Sequence, residues 1–393
     1  MMSHLTRRST LLGLASAFTL GRVSLALADA PTDQRFVVVI LRGALDGLSA
    51  VIPYGDAALS GLRGEIVPPA PGQEGGMLEL GGFYGLHPAL ANLHAMYRDG
   101  EALAVHAVAG PYRVRSHFEA QDYLESGTDH RMTSGWLNRA IEALPHPTAH
   151  GEALSIGVSV PLLMRGPATV ASWAPHGTAP LDADLYARIA ALNQSDRLLG
   201  PAIAEGLSER GFSATVMSGD EPPQSRYAFP ALAKVAGEML RAENGPRVAA
   251  LEIGGWDTHT AQTQRLAGVL RQLDAGLAAL KTGLGEAWRQ TALLTMTEFG
   301  RTVRMNGTRG TDHGTGTVAF VLGGTVAGGR VVADWPGLGS GRLFEDRDLQ
   351  PTCDLRSVAK GLLAQHLGLG KSALETVFPD SSAVGPIPRL VVT

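Results

Sequence analysis

A chain of 393 residues, 45% apolar and 18% charged, carries enough hydrophobic sequence for a sizeable core, as one large domain or two ordinary ones. Its formal net charge of −4 comes with no basic block and no acidic tail, which argues against a nucleic-acid partner and against a disordered tail. Cys353 stands alone, which excludes an internal disulfide and a zinc–cysteine cluster, while 49 glycines beside 6% aromatics point to a loop-rich α/β protein.

Residues 1–28 read as an export signal rather than as part of the fold. Arg7 and Arg8 precede an apolar stretch that closes on Ala26-Leu27-Ala28, an A-x-A cleavage pattern. The arginine pair followed by Ser9-Thr10-Leu11-Leu12 resembles a twin-arginine signal. Arg22 interrupts the apolar run short of the ~20 residues a membrane span needs, although an ordinary anchor helix is the alternative. On the export reading the twin-arginine machinery is a partner and the mature chain starts near Asp29. It then has no membrane span and works in the periplasm or outside the cell.

The mature chain opens on "RFVVVILRGALDGLSAVIPYG". Phe36 to Ile40 form a continuous β-branched or aromatic run, the mark of a strand buried on both faces, and a Gly–Asp–Gly turn follows. "HPALANLHAMYRDG" predicts a helix between Pro88 and Gly100, and "EALAVHAVAG" a second strand. "SHFEAQDYLESG" predicts a helix from Ser116, with Ser116 and Glu119 in capping-box spacing. Residues 160–245 read as mostly helical, with "SGDEPPQS" as a loop. "RVAALEIGGWDTHT" repeats the strand–glycine–polar grammar and leads into a long helix near 261–281. "TALLTMTEFGRT" is a further strand, "TVAFVLGGTVAGGRVV" strand–turn–strand, and "LRSVAKGLLAQHLGLG" a closing helix. The alternation predicts one domain over 29–393, a three-layer αβα sandwich on a mainly parallel sheet.

In open α/β sheets, ligands bind beyond the carboxyl ends of the strands, so polar residues placed there are the candidates. They are Asp46, the run Arg115-Ser116-His117, Asp257 with His259, Glu298 with Arg301, and Asp312-His313. Carboxylates and imidazoles brought together hold divalent metals. Asp312 beside His313, between glycines, is the densest such signal. Each has a plainer explanation. Asp46 can cap a turn, Ser116 can be only a helix cap, His117 can lie on a helix surface, and Asp257 and His259 can cap the following helix. Glu298 and Arg301 can be a structural ion pair. There is no G-x-S-x-G elbow, no H-E-x-x-H and no G-x-G-x-x-G, and "GLGKS" lacks the first glycine of a phosphate loop.

The order of Asp after the first strand, Ser at a helix start, Asp-x-His and then Asp-His resembles the alkaline phosphatase and sulfatase superfamily. More closely, "GALDGLSAVIPYGD", "RSHFEAQDYLESG", "GGWDTH", "TEFGRT" and "GTDHG" resemble a bacterial family of twin-arginine-exported proteins catalogued as a domain of unknown function. The resemblance implies an alkaline-phosphatase-like sandwich and divalent metal, whether zinc, calcium or magnesium. It places Asp46, Ser116, Asp312 and His313 on one metal, and Asp257 and His259 on a second that His117 or Glu298 would complete. Ser116 would be the nucleophile, with His117 in the site and Arg115 or Arg301 clamping an anionic substrate. The implied function is hydrolysis or transfer of phosphate or sulfate esters, small or polymeric. Two departures stand out: Asp257 and His259 are only two apart, and the single late histidine, His366, reads better as a helix C-cap. A non-catalytic exported binding or assembly protein on the same scaffold is the alternative.

Overall fold

A computed structural model describes residues 33–144, 153–157, 159–174, 228–243 and 245–392. The signal segment, most of the region 160–245 and the "SGDEPPQS" stretch lie outside the described residues. The described residues belong to one compact unit, Leu27–Ala174 with Ala228–Thr393.

The first strand, β1 (Arg35–Leu41), is buried at every position, as its unbroken apolar run requires. It is followed by a one-turn helix α1 (Gly47–Ala50), β2 (Val51–Ile52), α2 (Leu59–Arg63), β3 (Leu78–Glu79), β4 (Gly85–Leu86), α3 (Ala91–Arg98) and β5 (Ala102–Ala109). Next come α4 (His117–Ser126), α5 (Trp136–Glu142), β6 (Ala153–Ile156) and β7 (Val170–Trp173). The second half holds α6 (Phe229–Arg241), β8 (Val248–Ile253), α7 (Gln262–Leu284), β9 (Thr291–Met296) and β10 (Thr317–Leu322). It closes with β11 (Arg330–Val332), β12 (Cys353–Asp354), α8 (Leu355–Gln365) and α9 (Lys371–Val377).

The main sheet has nine strands in the order β11-β5-β10-β9-β1-β8-β6-β7, with β12 also on β5; β2, β4 and β3 form a small separate sheet. Pairing is parallel except at β10, which runs antiparallel to both β5 and β9. The strand–turn–strand reading of 317–332 therefore holds for the strands but not for their pairing: β5 lies between β10 and β11.

Alternate side chains of β1 feed two cores, because successive residues of a strand face opposite sides. Phe36, Val38 and Ile40 pack with Leu124, Leu137, Val358, Leu362 and Val377. Val37, Val39 and Leu41 pack with Leu93, Ala233, Leu240, Leu266 and Leu273. The sheet is thus covered on both faces, the three-layer sandwich the alternation predicts. In α7 the buried residues Leu266, Leu270, Leu273, Leu277 and Leu280 recur at steps of three and four, one stripe of a helix. Each such leucine contributes roughly 1.5–3 kcal/mol of burial.

This topology decides where the polar loops meet. The carboxyl ends of β1, β5, β8 and β9 share one rim. Because β10 is antiparallel, the loop entering it, which carries residue 313, returns to that same rim.

A candidate metal centre at the carboxyl rim

The segment after β8 stays extended, so its residues alternate: Trp256 and Thr258 are buried, whereas Asp257 and His259 face outward together. The segment after β9 folds back through a bridge between Arg301 and His313, held by Thr302 N–H to the Asp312 carbonyl (2.9 Å) and Gly314 N–H to the Gly300 carbonyl (2.8 Å). The glycines flanking Asp312-His313 serve close backbone approach. A Cβ on Gly310 would stand 2.2 Å from the His259 carbonyl oxygen, and one on Gly314 2.4 Å from the Arg301 carbonyl carbon.

Four side-chain atoms converge there. The Nε2 of His313 lies 3.0 Å from His117 Nε2, 3.0 Å from His259 Nε2 and 3.2 Å from Asp257 Oδ1. Asp257 Oδ1 is also 3.0 Å from His259 Nε2 and 3.6 Å from His117 Nε2. Ligand atoms around a tetrahedral zinc at 2.0–2.1 Å are about 3.3 Å apart, and the His117, Asp257 and His313 atoms, at 3.0 to 3.6 Å from one another, fit one metal ion, with His259 Nε2 beside the last two. Among the described residues, His117, Asp257 and His313 form the group whose ligand atoms all lie within 4.8 Å of one another, and His259 is not part of it.

Each imidazole is oriented from behind. His117 Nδ1 is 2.8 Å from Glu298 Oε1, His259 Nδ1 3.1 Å from Asp312 Oδ1, and His313 Nδ1 2.8 Å from the Arg115 carbonyl. All three partners are acceptors, so each neutral ring keeps its proton on Nδ1 and turns an Nε2 lone pair toward the others. Lone pairs at 3.0 Å repel unless a cation lies between them. The backing pattern is the one that fixes metal-bound histidines.

The electrostatics follow from these contacts. The Glu298 hydrogen bond raises the His117 pKa against the effect of burial. Burial lowers that of His313, and the Arg115 carbonyl only partly offsets it. Burial works to raise the Asp257 carboxyl, but Arg301, 2.6 Å away, holds it below its usual value. Side-chain exposures of 24% at His117, 43% at Asp257, 40% at His259 and 25% at His313 leave the cluster open on one side.

The structure places Asp257 and His259 close together with His117, which the sequence reading offered to complete their site, and sets His313, expected with Asp46, Ser116 and Asp312 on another metal, in the same cluster. Asp312 stands behind His259, where its Oδ1 also accepts from the Asn306 amide (3.1 Å). Asp46 is not in the cluster. Fully buried, its Oδ2 accepts from Arg63, from Gln262 and from Ser49 Oγ (2.7 Å), so a guanidinium occupies the place expected for a metal. Ser116 is exposed and precedes α4, but its hydroxyl makes no capping bond, and Glu119 instead accepts from Tyr123 (2.6 Å); the capping box is not formed. Neither arginine presents a free fork. Arg115 is paired with Asp348 (2.6 Å) and Glu345 (2.7 Å), while Arg301 is buried on Asp257 and the Thr311 carbonyl (2.7 Å). His366 lies away from the site. Its Nε2 is 2.8 Å from the carbonyl of Arg35, at the amino end of β1. Its backbone is the C-cap of α8, as read from the sequence. Arg63, Gln262 and Asp348 were missed: a lone Arg, Gln or Asp in a short polar segment has no periodic signature.

The family model for the protein of unknown function (DUF1501) matches residues 101–378, and the chain belongs to that family. No curated protein matches it. Solved structures with a similar fold include Ps i-CgsB in complex with k-i-k-neocarrahexaose, at 10% identity and TM-score 0.45, covering 90% of this chain and 77% of that one. Another is the C-terminal periplasmic domain of EcEptC from Escherichia coli, at 12% identity and TM-score 0.40, covering 93% and 91%. A mutant of TAB5 alkaline phosphatase with Mg bound is 9% identical at TM-score 0.35, covering 74% and 90%.

Proposed function

We propose that this member of the DUF1501 family binds one divalent transition metal through His117, Asp257, His259 and His313, and that it is an exported metal-dependent hydrolase or transferase of phosphate or sulfate esters. The observation that carries the metal is the approach of the His117 and His259 Nε2 atoms to that of His313, with all three Nδ1 protons tied behind them. Three imidazoles and one carboxylate suit zinc or a neighbouring first-row ion better than calcium or magnesium, which prefer oxygen. When bound, such a metal supplies a Lewis acid that polarises an ester oxygen or acidifies water.

The chain's own residues support ester chemistry at two points. Ser116 has an exposed hydroxyl free of any capping bond, next to His117 and at the start of a ten-residue helix, where backbone N–H groups favour an anion. The cluster is open to solvent, so a substrate can approach it. An assembly or binding role with a structural metal is the second reading. Four protein ligands close a tetrahedral zinc, and Arg115 and Arg301 are both engaged in ion pairs.

Elemental analysis and a panel of p-nitrophenyl phosphate, phosphodiester and sulfate separate the two. The hydrolase reading expects about one metal per chain, turnover lost in His313→Ala, and turnover lost in Ser116→Ala with metal retained. Metal bound with no ester turned over favours the assembly role. Turnover that survives Ser116→Ala removes that serine as nucleophile.

Export through the twin-arginine machinery belongs to the same proposal, with residues 1–28 as the signal and 29–393 as one mature domain. Among the described residues, no helix is long and apolar enough to cross a membrane. Replacing Arg7 and Arg8 by lysine should hold the protein in the cytoplasm, read by fractionation.

A further inference from the structure

Two separate loops carry most of the cluster, 257–259 and 311–313, and one buried amide touches both. We propose that Gln262, at the start of α7, is the positioning residue of the metal site, setting the two ligand loops in register; this rests on the metal reading above. Its Oε1 accepts from Thr258 Oγ1 (3.1 Å) and from Thr311 Oγ1 (2.6 Å). Thr258 lies between Asp257 and His259, and Thr311 immediately precedes Asp312-His313. Arg301 joins the same circuit, donating from Nε to Thr311 Oγ1 (3.3 Å), from Nη2 to the Thr311 carbonyl (2.7 Å) and from Nη1 to Asp257 (2.6 Å). Gln262, Thr258, Thr311 and Arg301 are all 1% exposed or less, so water does not substitute for any of these bonds.

The amide cannot turn over. Its Nε2 donates to Asp46 Oδ2 and Ser49 Oγ (3.2 Å), and a flipped amide would set its oxygen against the Asp46 carboxylate. That gives the Asp46–Arg63 pair a purpose. A fully buried ion pair is a weak stabilising device, and here Asp46 Oδ1 has no hydrogen-bond partner among the described residues. Its effect is to fix which way Gln262 faces, and through it the spacing of ligands that are 54 positions apart, His259 and His313. The Gln262 amide is matched on both its oxygen and its nitrogen, and a matched buried amide specifies one arrangement.

The test titrates Zn2+ and Co2+ into metal-free full-length protein. Thr258→Val and Thr311→Val are near-isosteric and each removes one link to Gln262, Thr311→Val with the Arg301 Nε bond as well; Gln262→Met removes both links to the threonines. Each should weaken Zn2+ binding by about 10- to 100-fold, the usual effect of losing a group that supports a ligand, and shift the visible absorption bands of bound Co2+. The Thr258→Val/Thr311→Val double variant should bind no more weakly than Gln262→Met. Lys360→Met is the control: it loses buried bonds to the carbonyls of Ser381 and Val384 and should lower stability with Zn2+ affinity and the Co2+ spectrum unchanged. Threonine variants that bind as tightly as the wild type overturn the proposal, as does a control that weakens binding equally. A wild type that takes up neither ion removes the metal reading itself, and the positioning role with it.

Discussion

Histidines at the two ends of the sheet show opposite hydrogen-bond accounts. At the amino end of β1, His366 has Nε2 on the Arg35 carbonyl and Nδ1 3.3 Å from the Thr325 hydroxyl. His106, in β5, is equally complete, with Nε2 on the Val51 carbonyl (2.8 Å) and Nδ1 accepting from Ala107 N–H (2.8 Å). At the carboxyl rim, His117, His259 and His313 each have one nitrogen satisfied by an acceptor and the other facing another imidazole. The two kinds differ in burial, with His106 and His366 buried and the rim histidines partly exposed, and they differ also in the pairing of the second nitrogen. A histidine with both nitrogens matched is accounted for as structure; the rim histidines, with Nε2 facing Nε2, are the ones on which the metal proposal rests.

The sharpest way to break this comparison is to remove one histidine from each end. His313→Ala deletes the residue that touches every other ligand and should abolish stoichiometric metal, measured by elemental analysis. His366→Ala should leave metal content unchanged and cost about 2–3 kcal/mol in denaturant stability through lost buried hydrogen bonds. Metal retained in His313→Ala would end the distinction.

Acid should act on the completed histidines. Burial pushes both His106 and His366 down to about 4 from the ordinary 6.5. Between those values the unfolded chain binds protons that the folded chain refuses, so stability is full above pH 6.5 and falls as pH drops. At about 1.4 kcal/mol per pKa unit, each contributes a loss of about 3 kcal/mol by pH 4. In chelator, urea midpoints should decline from pH 6.5 downward, before most carboxylates titrate, and His366→Gln should flatten the decline. A flat wild-type profile over that range would contradict the burial argument.

The smallest effect concerns the groups behind the ligands. Asp312→Asn and Glu298→Gln keep the shape but exchange the acceptor of a ring N–H for an amide. Each should weaken Zn2+ about tenfold or somewhat more by calorimetry, without abolishing it. Complete loss in Asp312→Asn would return Asp312 to the place on the metal that its position beside His313 suggests.

Much of this was legible in the chain. The run from Phe36 to Ile40, the leucine stripe of α7 and the strand–helix alternation specify the layers through contiguous periodicity. Asp257 and His259 at spacing two lie on one face because the segment is extended. The adjacency of Asp312 and His313 misleads for the same reason: the Arg301–His313 bridge holds this segment extended, so the two side chains diverge and only the imidazole reaches the centre. Asp46 misleads differently. Its turn position is right, but nothing near it in sequence announces that Arg63, seventeen residues on, would neutralise it.

What the amino-acid sequence determined by itself is the set of elements and the list of polar residues at their ends, because periodicity, glycine and turn chemistry act over a few neighbouring residues. Only the tertiary structure decided which of those residues share a centre. His117 and His313 are 196 positions apart, and they meet because β10 runs antiparallel and brings its entry loop back to the rim where α4 begins. Partner choice among buried charges depends on strand order and register, which no local stretch of chain contains.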